Sequence, residues 1–100
     1  MVDPRKVVWD EIATDQLKQI FQFIRSDSLQ NAEKVKREIL KIVRSIPNHP
    51  FKFPPDKFKE ENDGSYRAFV KYNYRVAYRV TGQQIKILTV RSDKQEPLIY

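Results

Sequence analysis

The sequence predicts an α+β fold: a short N-terminal strand, then an antiparallel helical hairpin packed on an antiparallel β-meander. Three observations carry this. Apolar residues recur at three- and four-residue steps through two successive stretches of the first half; a proline-rich break follows; and from Ser65 onward the apolar period falls to two. A chain of 100 residues, 40% apolar and 32% charged, has enough apolar side chain for one core spanning residues 1–100. A domain so small buries only a modest share of its surface, so a stabilising partner is expected.

The elements follow in order. Residues 5–9, Arg-Lys-Val-Val-Trp, are short and rich in β-branched residues, which suits an N-terminal strand ending at the only tryptophan. Asp10 can cap a helix over about 11–26, in which Ile12, Ala13, Leu17, Ile20, Phe21 and Ile24 share one face. Ser26-Asp27-Ser28 offers side-chain hydrogen bonds that end that helix and cap the next. Ala32, Val35, Ile39, Ile42, Val43 and Ile46 then repeat the spacing up to Pro47. Two one-sided helices joined by so short a turn lie antiparallel and need a sheet to cover.

Residues 47–64 hold four of the six prolines together with Asn62-Asp63-Gly64, the signature of a loop closed by a turn. Its three phenylalanines, Phe51, Phe53 and Phe58, are expected to pack over the core edge, because exposing them would forfeit several kilocalories per mole. Three alternating strands follow. Tyr66, Ala68, Val70 and Tyr72 alternate with Arg67, Phe69 and Lys71; Tyr74, Val76, Tyr78 and Val80 with Arg75, Ala77 and Arg79; and Ile85, Ile87 and Thr89 with Lys86, Leu88 and Val90. One sheet face is expected against the helices, and the other to carry Arg67, Lys71, Arg75 and Arg79. An arginine such as Arg75 on an open strand should cost little stability when removed.

Nineteen basic against thirteen acidic residues give +6, which favours polyanions or acidic protein segments over a membrane. Residues 47–100 carry ten basic and six acidic side chains and residues 1–46 nine and seven, so the second half is the expected polyanion surface. No cysteine is present, which excludes disulfides and thiolate metal sites. Metal and small-molecule cofactors are not expected, since no ligand cluster or phosphate-binding glycine loop occurs. No run approaches membrane-spanning length, and the N-terminus lacks the apolar core of a signal peptide, so a soluble, cytoplasmic protein is expected. His49, the single histidine, lies between prolines and reads as a solvent-facing turn residue; Asp56, Glu60, Glu61 and Asp63 read as solvated carboxylates beside basic neighbours.

Tyr66-Arg67-Ala68-Phe69, Tyr74-Arg75-Val76-Ala77-Tyr78-Arg79-Val80 and Ile85-Lys86-Ile87-Leu88-Thr89-Val90-Arg91 together resemble the core strands of RelE/ParE toxins of type II toxin-antitoxin systems. Phe53-Pro54-Pro55-Asp56-Lys57-Phe58, Asn62-Asp63-Gly64-Ser65 and the tail from Glu96-Pro97 to Tyr100 resemble one branch of that superfamily. The resemblance implies a cognate antitoxin partner and growth inhibition by ribosome-dependent cleavage of messenger RNA. In that mechanism Arg75, Arg91 and Tyr100 would be catalytic, and Arg67, Lys71 and Arg79 would bind RNA or another target. Tyr100 would serve as base only if the arginines lowered its pKa. The sequence departs from the branch at Ser92, where a histidine is usual. Two alternatives stand beside this one: inhibition of DNA gyrase without chemistry, as ParE-like members do, or a weakened toxin that only binds its antitoxin.

Overall fold

The computed structural model describes residues 4–100, in the order β1 (Lys6–Trp9), α1 (Glu11–Arg25), α2 (Leu29–Ser45), a 3₁₀ turn (Ile46–Asn48), β2 (Tyr66–Lys71), β3 (Tyr74–Val80) and β4 (Gln84–Ser92). The four strands form one sheet in the order β1-β4-β3-β2; β1 runs parallel to β4, and the other pairings are antiparallel. The hairpin caps fall where the sequence places them. The Asp10 carboxylate accepts from the Ile12 N–H, and the Ser28 hydroxyl accepts from Asn31 N–H.

The core lies between the hairpin and one sheet face. Ala13, Leu17, Ile24, Ala32, Val35, Ile39, Val43 and Ile46 meet Phe69, Val76, Tyr78, Val80, Ile85, Ile87 and Val90, with Ile20, Phe21 and Ile42 partly buried around them. Ile12 departs from the expected face: it is 60% exposed, because at about 100° per residue it stands about 110° around the axis from the centre of the Ala13, Leu17, Ile20 and Ile24 stripe. The loop phenylalanines also divide. Phe53 packs on Phe69 with ring centroids 5.0 Å apart, Phe58 lies under the Arg75 guanidinium, and Phe51 is exposed, covered on one side by Arg67.

Two corrections concern the sheet faces. Arg67 and Lys71 stand opposite Tyr78 and Tyr74 in the β2–β3 register, so they share the helix-side face with Phe69, and only Arg75 and Arg79 point to the outer face. The cause is the phase of β2, where the single large apolar side chain that reaches the core, Phe69, sits between the two cations; a one-residue offset exchanges the faces of the whole strand. On β4 the register shifts between Ala77 and Tyr78: Ile87 faces Tyr78 while Thr89 faces Ala77, leaving Leu88 as the extra residue of a bulge. Val90 therefore joins Ile85 and Ile87 in the core, and Thr89 turns outward with Lys86 and Arg91, contrary to strict alternation.

Tyr78 is fully buried, and its hydroxyl donates to the Pro50 carbonyl at 3.0 Å, tying the start of the long loop to the sheet. Burial pushes its pKa up to about 12. Tyr78→Phe should keep the packing and leave one carbonyl unpaired, at a cost of about 1 kcal/mol in a denaturant titration.

Candidate functional site

The outer sheet face is covered by the loop before β2 and by the tail after β4. Pro54 and Asp56 run beside β2: Ala68 N–H donates to Pro54 O at 3.3 Å, and Asp56 N–H to Tyr66 O at 2.8 Å. Asn62 clamps this segment. Its amide donates to Asp56 O and Tyr66 O, while its carbonyl accepts from Gly64 N–H and Tyr66 N–H. Gly64 takes φ +95°, a conformation that a side chain would strain.

These anchors set the Asp56 side chain, 2% exposed, beneath the loop. One carboxylate oxygen accepts from Arg75 Nη2 at 2.7 Å and from Phe58 N–H at 3.1 Å; the other accepts from the Tyr100 hydroxyl at 2.7 Å. The tail folds back to make the last contact. Tyr100 N–H donates to Phe58 O at 3.1 Å, Glu60 N–H donates to Tyr100 O at 2.6 Å, and the Tyr100 ring meets Tyr66 edge-on. Tyr100 is thus docked by both backbone and side chain rather than frayed.

Electrostatics follow from this cluster. Burial alone would raise the Asp56 carboxyl, but hydrogen bonds from Arg75, Tyr100 and Phe58, with the charge of Arg75, outweigh it and hold the pKa below its ordinary 3.8. Tyr100 moves the other way. Burial, the hydrogen bond to Asp56 and that carboxylate's charge all raise it, so the hydroxyl remains a proton donor at neutral pH. The arginines do not create a phenolate.

Of the residues marked by the sequence, Arg75, Arg91 and Tyr100 come together. Arg75 and Arg91 are register partners on β3 and β4, and with Tyr100 and Asp56 they line a cleft of about 240 Å³ between sheet and tail. Arg91 donates to Glu96 O at 3.1 Å, holding the tail's first half. Arg79 lies nearby, its guanidinium 4.9 Å from the Tyr66 ring centre. Arg67 and Lys71 are elsewhere: Arg67 donates to Gly64 O and Phe53 O as a loop support, and Lys71 sits over Tyr72. Arg75 is no open strand cation either, since its charge is matched by a buried carboxylate. Asp56, read from the sequence as solvated, is the group that sequence reasoning missed; two prolines before it and an asparagine six residues after it were the available signals. His49 is exposed, as expected. Among the described residues no group of metal-ligating side chains occurs, and no helix is long and apolar enough to cross a membrane.

Two helices over one face of a four-stranded sheet with a short N-terminal strand make a RelE/ParE-like fold. The fold is similar to that of a protein in the chromosomal ParDE toxin-antitoxin system from P. aeruginosa, with a TM-score of 0.69 at 18% identity, covering 88% of this chain and 95% of that one. It is also similar to the YoeB dimer protein from Staphylococcus aureus, with a TM-score of 0.62 at 22% identity over 89% and 97% of the two chains. A chain of the RelBE2 toxin-antitoxin complex from Mycobacterium tuberculosis gives 0.63 at 14% identity over 90% and 99%. No curated protein sequence matches. The family model for the ParE toxin of the type II toxin-antitoxin system parDE matches residues 7–97, and the chain belongs to that family. It is a toxin of a type II toxin-antitoxin system.

Proposed function

We propose that this toxin arrests growth by binding DNA gyrase rather than by cutting messenger RNA, and that a cognate antitoxin restrains it. One observation carries the reading: the Tyr100 hydroxyl donates to a carboxylate already paired with Arg75. Cleavage through a 2′-hydroxyl needs a group that takes a proton and cations free to meet the phosphorane. Tyr100 is held protonated, the Arg75 charge is matched by Asp56, and position 92 is a serine whose hydroxyl accepts from Lys94 N–H. A binding inhibitor needs none of these groups free. It needs a rigid surface, which the strapped tail and the exposed Arg79 beside it supply, with Arg91 at the cleft's rim.

Tyr100→Phe separates the mechanisms. Under the binding reading, loss of one hydroxyl should leave growth inhibition and gyrase-linked DNA breaks within about threefold, with about 1 kcal/mol of stability lost. If Tyr100 served as acid or base, inhibition would fall by about a hundredfold or more. Mapping messenger RNA ends and gyrase-linked breaks after induction decides the target directly. New ribosome-bound messenger ends without DNA breaks would sink the proposal.

A further inference from the structure

Helix α2 buries one side and presents cations on the side opposite. At about 100° per residue, Ala32, Val35, Ile39 and Val43 face the core, and Lys34, Arg37, Lys41 and Arg44 centre about 180° away. All four are exposed. The ion pairs among the described residues are Arg75–Asp56 and Lys86–Asp10, so no carboxylate neutralises the row at contact distance; Glu33 and Glu38 flank it without pairing. The row continues onto the sheet through Tyr72. That ring, in the tight β2–β3 turn at φ +54°, has Lys34 Nζ 5.7 Å and Lys71 Nζ 4.6 Å from its centre, which adds a fifth cation.

We propose that this row is a docking surface for the phosphate backbone of double-stranded DNA. Spacings of three, four and three residues set the four helix cations along about 15 Å of axis. A duplex offers a negative charge about every 1.7 Å of its own axis, so flexible lysine and arginine side chains can each reach a phosphate. A protein partner would call for a desolvated apolar or aromatic anchor at the centre of its contact. The row has none: Leu29 lies about a quarter-turn away, Ile12 and Phe23 are on α1, and the Tyr72 ring is taken up by two ammonium groups. Phosphate contacts require only charge and reach. The row lies on the hairpin side of the sheet, whereas Arg75 and Tyr100 occupy the opposite face, so one molecule can hold DNA on its hairpin while its outer face meets another partner. The inference does not rest on gyrase being the target.

The test is fluorescence anisotropy of a labelled 20-base-pair duplex with the full chain across a salt series. Parent binding should weaken steeply with salt. The variant Lys34→Gln/Arg37→Gln/Lys41→Gln/Arg44→Gln should bind at least about tenfold more weakly at low salt and lower the log–log salt slope by about 3 to 4. Lys41→Gln alone should lower it by about 1. The control Lys6→Gln/Lys18→Gln/Lys52→Gln/Lys94→Gln removes equal charge elsewhere and should stay within about threefold of the parent. Equal losses in both quadruple variants would reduce the effect to net charge and overturn the proposal. So would displacement of the duplex by polyglutamate at lower charge concentration than by unlabelled duplex, which would point to an acidic protein instead.

Discussion

Ile39→Ala is expected to destabilise the protein by about 2 to 5 kcal/mol, the range for truncating a fully buried large aliphatic side chain. Ile39 has no exposed surface and sits mid-helix in α2, between Val35 and Val43 and against the sheet-side core. The loss combines buried methyl groups with a cavity that neighbours in both layers can only partly fill. In a chain of 100 residues it corresponds to a melting temperature lower by about 8 °C or more, a large part of total stability. The matching control is Phe23→Ala, where the ring is 76% exposed and the cost should stay within about 0.5 kcal/mol. Equal melting temperatures for Ile39→Ala and the parent would mean that the hairpin presents another face to the sheet.

That comparison shows what hydropathy spacing can carry. Leu17, Ile24, Val35 and Ile39 are buried where the period of 3.6 places them, and Asp10 and Ser28 cap where their side chains allow. Ile12 fits the three- and four-residue steps only loosely and is exposed, because it stands about 110° around the helix from the centre of the buried stripe. On the strands the limit is sharper. Tyrosine and arginine suit either face of a sheet, so Arg67, Arg75 and Arg79 look alike in sequence, and the phase of β2 depends on Phe69 alone. The bulge at Leu88 leaves no mark in the sequence that alternation could register, yet it decides that Val90 and not Thr89 enters the core. At the site, the basic residues were legible as a class, and Arg75, Arg91 and Tyr100 do converge. Asp56 was not, because its meaning depends on contacts with Arg75, 19 residues away, and Tyr100, 44 residues away.

The largest electrostatic effect should follow from Asp56→Ala. The substitution removes the acceptor of three donors at once: the Arg75 guanidinium, the Tyr100 hydroxyl and the Phe58 N–H. Arg75, 23% exposed, keeps some access to water, so the cost should fall below that of a fully buried broken pair, at about 2 to 4 kcal/mol. Tyr100 should be held less tightly, by its two backbone hydrogen bonds and the edge contact with Tyr66. Asp56→Asn preserves shape and one acceptor oxygen but not the charge, and should cost less. Comparing parent and Asp56→Asn against pH isolates the ionised form. The folded Asp56 carboxyl titrates below its ordinary 3.8, so on acidification the unfolded chain takes up the proton first. The stability advantage of the parent should therefore be constant above about pH 5 and shrink as pH falls through and below that ordinary value. Tyr100 gives the opposite limb: its raised pKa favours the neutral hydroxyl in the fold, so its contribution persists below pH 10 and is lost as pH climbs above that value. Urea titrations of both proteins from pH 2.5 to 8 test the acidic limb. A difference that stays constant down to pH 2.5 would show that Asp56 acts through shape and hydrogen bonding alone, and that Arg75 keeps its place without the charge.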